Sequence, residues 1–237
     1  MQTVVLFLVL LVSVRVPAKR SLKETCIQFN QLNSKIRDEA LEKKDAKNKV
    51  HAILKELQSH FTRQKAITSD WSFPVSGYGC KAIGGKNGSG YIPKGYRFFD
   101  GNKHGGHPAH DVFISDKNQD SKDDNTKKRG IVNSILPGVV VAVEREWKIN
   151  SLLRGGKYVM VFHPAEDLIS YYAHLDSVLV ETGQILKSGE ALGEMGRTGL
   201  NAFKKRSPTH LHLMVLKVDP QAGLLPFNPY SKWKSCE

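Results

Sequence analysis

The apolar and polar positions of this chain fall into three stretches with different periods. The first is Thr3–Val14, TVVLFLVLLVSV, an unbroken apolar run. A membrane-spanning helix needs about 20 such residues, so the run is short for a span and suits the core of a secretory signal peptide. Val16-Pro17-Ala18 comes next, at the place where a signal peptidase would cut, although no Lys or Arg precedes the run. Residues 1–18 are expected to be a signal peptide or a retained N-terminal anchor. Either exports the remainder of the chain to the periplasm, cell envelope or extracellular space. The second stretch, residues 21–66, has no Gly or Pro. Phe29, Leu32, Ile36 and Ala40, then Val50, Ile53, Leu54, Leu57 and Phe61, recur at helical spacing, with the highly charged run Lys43–Lys49 between them. A coiled-coil-like helical segment is therefore expected over 19–68, as one long helix or as two with a polar joint at the charged run. Its apolar stripe is narrow, so it should pack on a partner helix or on the rest of the chain. A spacer, a dimerisation arm and an inhibitory cover all fit that pattern.

From Trp71 onward the helical period disappears. Gly and Pro come at short intervals, and the apolar residues gather in Ile131–Val143, Tyr158–Phe162, Ile169–Tyr172, Val178–Val180 and Leu211–Val218. Short β-branched runs divided by turn residues predict a mainly β domain, antiparallel and compact, over 71–232. Ser115–Gly130 is charged and has no apolar residue, which reads as a mobile surface loop.

Composition narrows the class. A chain of 237 residues with 40% hydrophobic content supports one substantial folded domain with appendages. The net charge is +12, but the basic residues are spread along the sequence, with only short clusters at Lys127-Lys128-Arg129 and Lys204-Lys205-Arg206. No nucleic-acid-binding motif accompanies them, so nucleic acid is not an expected partner. For an exported chain the charge suits an anionic envelope polymer, or serves solubility alone. The three cysteines are Cys26, Cys80 and Cys236, so at least one is unpaired within the chain. Cys80 and Cys236 flank the β region and could close it as a disulfide. Cys26 lies in a polar context, too far from the apolar run to look like a lipidation site. Oligomeric state is not legible.

Three clusters in the β region carry candidate chemistry: His104-Gly105-Gly106-His107-Pro108-Ala109-His110-Asp111, Tyr171-Tyr172-Ala173-His174-Leu175, and Pro208-Thr209-His210-Leu211-His212-Leu213. In a strand, residues two apart share a face, so His210 and His212 project side by side. Catalytic zinc takes three protein ligands and leaves a fourth position open. His107 and Asp111, spaced H-x3-D, could grip the same ion from a turn, while His110 diverges from its neighbour Asp111. Spacing alone leaves open which of His210 and His212 holds the metal. The bland reading of the remaining histidines is structural: His51 and His60 solvated on a helix, His163 a hydrogen-bonding residue at a strand end, His104 and His110 beside the site. The Gly183–Gly193 stretch reads as ordinary β-turn chemistry.

Taken together, these motifs resemble the lysostaphin-type (LytM-like) zinc metallopeptidases. The resemblance is carried by the H-x3-D of His107 and Asp111, the Y-A-H-L of Tyr172–Leu175, the H-L-H of His210–His212, and the glycine-punctuated spacer Gly183–Gly199. It covers about Trp71 to Tyr230 and leaves the helical segment unexplained. It implies a duplicated-hybrid-motif type of antiparallel fold, one zinc ion held by His107, Asp111 and His212, and His174 and His210 as catalytic histidines beside it. It also implies hydrolysis of peptide bonds in peptidoglycan stem or cross-bridge peptides. Pro108-Ala109 stands where the family often has Gly, and Met214 where an acidic residue commonly comes after H-x-H, with the spacing kept. Two other roles remain: a non-catalytic LytM-like domain that binds or activates a cell-wall amidase, and an exported peptidase of ordinary proteins or glycine-rich peptides.

Overall fold

The computed structural model describes residues 20–61 and 71–233. The expected signal sequence and Cys236 lie outside the described residues. Among the described residues no helix is long and apolar enough to cross a membrane.

Two helices open the structure, α1 (Leu22–Arg37) and α2 (Lys43–Ser59). A capping box starts α1: the Ser21 hydroxyl accepts from the Glu24 amide, and the Glu24 carboxylate accepts from the Ser21 amide. Glu39 ends it at φ 57, with the Glu39 amide on the Ile36 carbonyl and the Ala40 amide on the Lys35 carbonyl, a Schellman closure. The break therefore lies at 38–42, not in the charged run. Lys43–Lys49 forms the first turns of α2, because Ala46, its one small apolar residue, falls in helical register with buried Val50, Leu54 and Leu57.

Nine strands among the described residues form one antiparallel sheet. They are β1 (Ala109–Phe113), β2 (Ile131–Asn133), β3 (Gly138–Glu144), β4 (Lys157–His163), β5 (Leu168–Val178), β6 (Ile185–Leu186), β7 (Ala191–Met195), β8 (His210–Asp219) and β9 (Gly223–Phe227). The main order is β1-β8-β5-β4-β3-β6, with β7 joining β2 and β5, and β9 pairing the far half of β8. The run Ile131–Val143 is two strands, split by Ser134–Pro137, while the two runs around 169–180 belong largely to a single strand. The strands with no clear apolar pattern are the short ones and β1, whose polar residues belong to the site.

Both faces of the sheet are covered, which is why its central strands read as nearly continuous apolar runs. On β4, Val159 and Val161 enter one core and Tyr158, Met160 and Phe162 the other. On β8, Leu211, Leu213 and Val215 enter the first core, while Met214 and Leu216 enter the second. The second core is completed by Cys26, Phe29, Leu32 and Ile36 of α1 and by Ala46, Val50, Leu54 and Leu57 of α2. The helical hairpin is thus a layer packed on the sheet, sharing its core. His60 is not simply solvated, since its Nε2 lies 3.1 Å from the Thr25 hydroxyl across the hairpin.

The charged loop Ser115–Gly130 is tied down rather than loose. Asp116, Ser121 and Asp123 are buried. The Asp116 carboxylate accepts from the Asp120 and Ser121 amides and from the Thr209 hydroxyl at 2.7 Å, and the Tyr78 hydroxyl donates to Asp123. Its anchors are polar, so hydropathy could not reveal them. Cys80 is disulfide-bonded. Cys26 is free and buried in the second core, and burial pushes its thiol up to about 12.

His163 is fully inside, with Nδ1 3.0 Å from the Pro137 carbonyl and Nε2 2.7 Å from the Ser170 hydroxyl. Burial, opposed only by that carbonyl, pushes its pKa down to about 4. Between pH 4 and the ordinary value near 6.5 the unfolded chain takes up a proton that the fold refuses. Stability is therefore present above about pH 6.5 and is lost as the pH falls toward 4, by about 2 kcal/mol between pH 7 and 4.5. His163→Asn is expected to be less stable at pH 7 but to lose that much less on acidification. Urea unfolding of both proteins at the two pH values measures the difference; equal losses would contradict it.

Candidate functional site

The site lies on the hairpin-facing side of the sheet, where the hairpin stops. β1 and β8 pair so that Ala109 opposes Met214, Asp111 opposes His212 and Phe113 opposes His210. Directly opposed residues share a face, so Asp111, His210 and His212 are brought together by register alone. Asp111 is thus delivered from the middle of a strand, not from a turn. His110, one residue earlier, points into the opposite core, where its Nε2 lies 2.8 Å from Asn228 Oδ1 and Tyr91 and Tyr230 flank its ring.

His107 precedes β1. Its backbone is fixed by a two-way bridge with Ile92, and its Nδ1 lies 3.0 Å from the Gly90 carbonyl. A carbonyl only accepts, so Nδ1 carries the proton and Nε2 keeps the lone pair. That Nε2 lies 3.2 Å from Asp111 Oδ1, and His212 Nδ1 lies 3.2 Å from the same oxygen. Two ligands of a tetrahedral zinc, each about 2 Å from the ion, stand about 3.3 Å apart. His107, Asp111 and His212 form the metal-capable group found among the described residues, with their ligand atoms within 4.8 Å of one another. The donor set, two imidazoles and one carboxylate, suits zinc.

His174 reaches the site by an irregular route. Alternation along β5 sends Ala173 into the second core and would send His174 into the first. Instead His174 has φ 66, and the pairing with β4 slips by one residue between Tyr172 and Leu175. This is a β-bulge with a histidine in the left-handed conformation, a strained arrangement held by its surroundings. The His174 amide donates to the Gly155 carbonyl, its carbonyl accepts from the Gly196 amide, and its Nδ1 lies 2.8 Å from the Thr198 carbonyl. A Cβ at Gly199 would lie 2.8 Å from that Nδ1 and 2.4 Å from the Arg154 carbonyl, so no side chain fits there.

His210 Nδ1 lies 2.7 Å from the Pro208 carbonyl, leaving Nε2 3.8 Å from Asp111 Oδ1. The rings of His174 and His210 are 4.9 Å apart, and those of His174 and His212 5.6 Å. Like His107, His174 and His210 have Nδ1 committed to a carbonyl, which leaves the lone pair on Nε2.

Burial, then the neighbouring His210 and His212, hold His174 well below the ordinary histidine range, so its resting form is neutral. Burial also lowers His212, keeping it in the form that ligates. The hydrogen bond with Asp111 raises His107, so a proton and a metal compete for the same nitrogen. Burial alone would raise Asp111, but its bonds to His107 and His212 outweigh that and hold it below the usual carboxylate range.

Around these groups lies a cleft of 340 Å³. Its walls are the last turns of α1, the turn Phe98–Lys103, residues 153–155 and the segment from Asn201 to Ser207. The last of these is clamped by Arg197. The Arg197 guanidinium donates to the Lys204 and Ser207 carbonyls, to Gln119 Oε1 and to the Thr209 hydroxyl. Thr209 in turn donates to Asp116, so the charged loop, the segment from Asn201 to Ser207 and the entry to His210 form one network. In the sequence, Arg197, Thr198 and Gly199 are visible only as part of a glycine-rich spacer, with no role attached.

Comparison with known proteins adds a match over part of the chain. The model of Peptidase family M23 matches residues 120–223, a span that includes His174, His210 and His212 and begins after His107 and Asp111. Over 79 residues, 33% of this chain, the sequence is 35% identical to the uncharacterized lipoprotein YgeR of Escherichia coli (strain K12). The chain covers 30% of that protein's length. Among solved structures, a zinc-containing peptidase from Vibrio cholerae is 25% identical over 62% of this chain and 36% of its own, with a TM-score of 0.41. The antimicrobial peptidase lysostaphin from Staphylococcus simulans is 21% identical over 71% of this chain and 55% of its own, also at 0.41.

Proposed function

We propose that this chain, whose residues 120–223 match the model of Peptidase family M23, is a zinc-dependent endopeptidase that hydrolyses peptide bonds in the stem or cross-bridge peptides of peptidoglycan. The observation that carries the proposal is the convergence of His107 Nε2 and His212 Nδ1 on Asp111 Oδ1. The histidine pair His174 and His210 stands beside it with Nε2 unencumbered. His107, Asp111 and His212 would hold the ion. Zinc at a three-ligand site supplies Lewis acidity and brings the pKa of water toward neutrality.

The remaining work falls to the chain. With Nδ1–H fixed on a backbone carbonyl, each of His174 and His210 presents a lone pair that can take a proton at Nε2 and return it to the leaving amine. Once protonated, the same nitrogen donates a hydrogen bond to negative charge developing on the scissile carbonyl oxygen. The cleft walls hold the peptide across this centre, and their closeness limits water. An exported enzyme of the cell envelope, with the spread of positive charge favouring an anionic polymer, fits this substrate.

The test is digestion of purified peptidoglycan by metal-stripped protein before and after zinc is restored, counting newly exposed amino groups. They are expected only after zinc. Sedimentation of the zinc-loaded protein with the wall, with no amino groups released, would replace this reading with a wall-binding role.

A further inference from the structure

The cleft contains a cation with no ionic partner among the described residues. Arg154 sits on the turn before β4 and lines the cleft together with His107, Asp111 and Tyr171. Its Nη1 donates to the Asn102 carbonyl at 3.1 Å and the His104 carbonyl at 2.8 Å. Those two bonds use both protons of Nη1 and leave Nη2 and Nε without a partner among the described residues. No carboxylate among the described residues pairs with it. Arg37, the other arginine on the cleft, is spent on Asp38 at 2.8 Å and Glu144 at 2.9 Å. Asp111 is the sole carboxylate among the described residues that line the cleft, and it belongs to the metal-capable group. With a dication bound, Asp111 leaves the cleft with net positive charge, concentrated between the metal site and Arg154.

Arg154 is also rigidly held. A Cβ at Gly155 would lie 1.8 Å from the Tyr171 hydroxyl, and one at Gly156 would lie 2.3 Å from the Thr198 backbone, so this turn is pressed against β5 and the glycine-rich spacer. The Gly155 carbonyl accepts from the His174 amide, and the Leu200 amide donates to Leu153. The guanidinium and His174 thus belong to one rigid unit, and the free edge of Arg154 is pre-organised for a planar acceptor.

We propose that Arg154 is a specificity-determining residue that binds a substrate carboxylate, so that the cleft selects peptides bearing a free carboxylate near the bond to be cut. This rests on the peptidase reading above. Arginine's two-point donation fits a carboxylate better than a lone carbonyl oxygen.

The test uses a peptidoglycan stem peptide and its versions with the carboxylates converted to carboxamides one at a time. Binding is measured calorimetrically on the full metal-stripped protein, where no turnover interferes. For the native chain, one amidation is expected to weaken binding about tenfold or more. Arg154→Met is expected to bind that pair equally, and Arg154→Lys to keep part of the discrimination. A merely structural role for Arg154 would weaken acid and amide forms alike and leave their ratio intact. Equal binding of all forms by the native chain, or undiminished discrimination in Arg154→Met, would overturn the proposal. If Arg154→Met fails to fold, undiminished discrimination in Arg154→Lys does the same. Turnover by zinc-loaded protein separates the two readings. Discrimination without hydrolysis sinks the peptidase and spares this site, whereas hydrolysis without discrimination does the reverse.

Discussion

His210→Ala is expected to retain about one zinc per chain yet lose roughly 10²–10⁴-fold of peptide cleavage, the usual contribution of a proton-transferring side chain. His212→Ala is expected to lose both metal and activity. The two residues stand two apart on β8, on one face, and their chemistry alone does not distinguish them. Geometry does. His212 turns Nδ1 to within 3.2 Å of Asp111 Oδ1, while His210 has Nδ1 drawn back to the Pro208 carbonyl and holds Nε2 at 3.8 Å. Elemental analysis alongside a digestion assay reads both properties. A metal-free His210→Ala would mean that His210 is itself a ligand.

Deleting the helical hairpin, residues 20–61, is expected to abolish cooperative folding rather than to release activity. The deletion would bare Tyr158, Met160, Phe162, Ile169, Leu216 and Leu224, all buried in the core shared with the helices. At about 1.5–3 kcal/mol for each large apolar side chain, the loss is about 9–18 kcal/mol, against a typical total stability of about 5–15 kcal/mol. Calorimetry of the shortened chain should show no cooperative transition, or aggregation. A sharp transition with an unchanged midpoint would mean that the sheet stands alone and that the hairpin is an accessory. Because Asn33, Ile36 and Arg37 of α1 line the cleft, the helices also shape the ground on which substrate lies.

The elements legible in the sequence are those with a clean period. The stripes on α1 and α2 and the apolar runs of β3, β4, β5 and β8 are visible because burial on one or both faces forces them. The helix break is not where hydropathy puts it, because a charged run looks like a joint, whereas α2 needs only Ala46 inward at that turn. The loop after β1 reads as mobile because Asp116 and Asp123 anchor it through hydrogen bonds, which hydropathy does not register. The His210–His212 pair emerges from strand alternation, and its meeting with Asp111 from the β1–β8 register, which only the fold supplies. His174 defeats alternation altogether: a bulge with φ 66 turns it toward the site, and only the motif around it marks it in the sequence. Arg154 carries no sequence signal, since its significance lies in what fails to pair with it.

In the proposed site His107, Asp111 and His212 hold one zinc ion, leaving His174 and His210 free beside it. X-ray absorption at the zinc edge of the loaded protein reads this ligand set. The expected spectrum is that of a four-coordinate ion with two imidazoles and oxygen ligands at about 2.0–2.2 Å, unchanged in His174→Ala. A shell of three or more imidazoles, or a shell altered by His174→Ala, would contradict it.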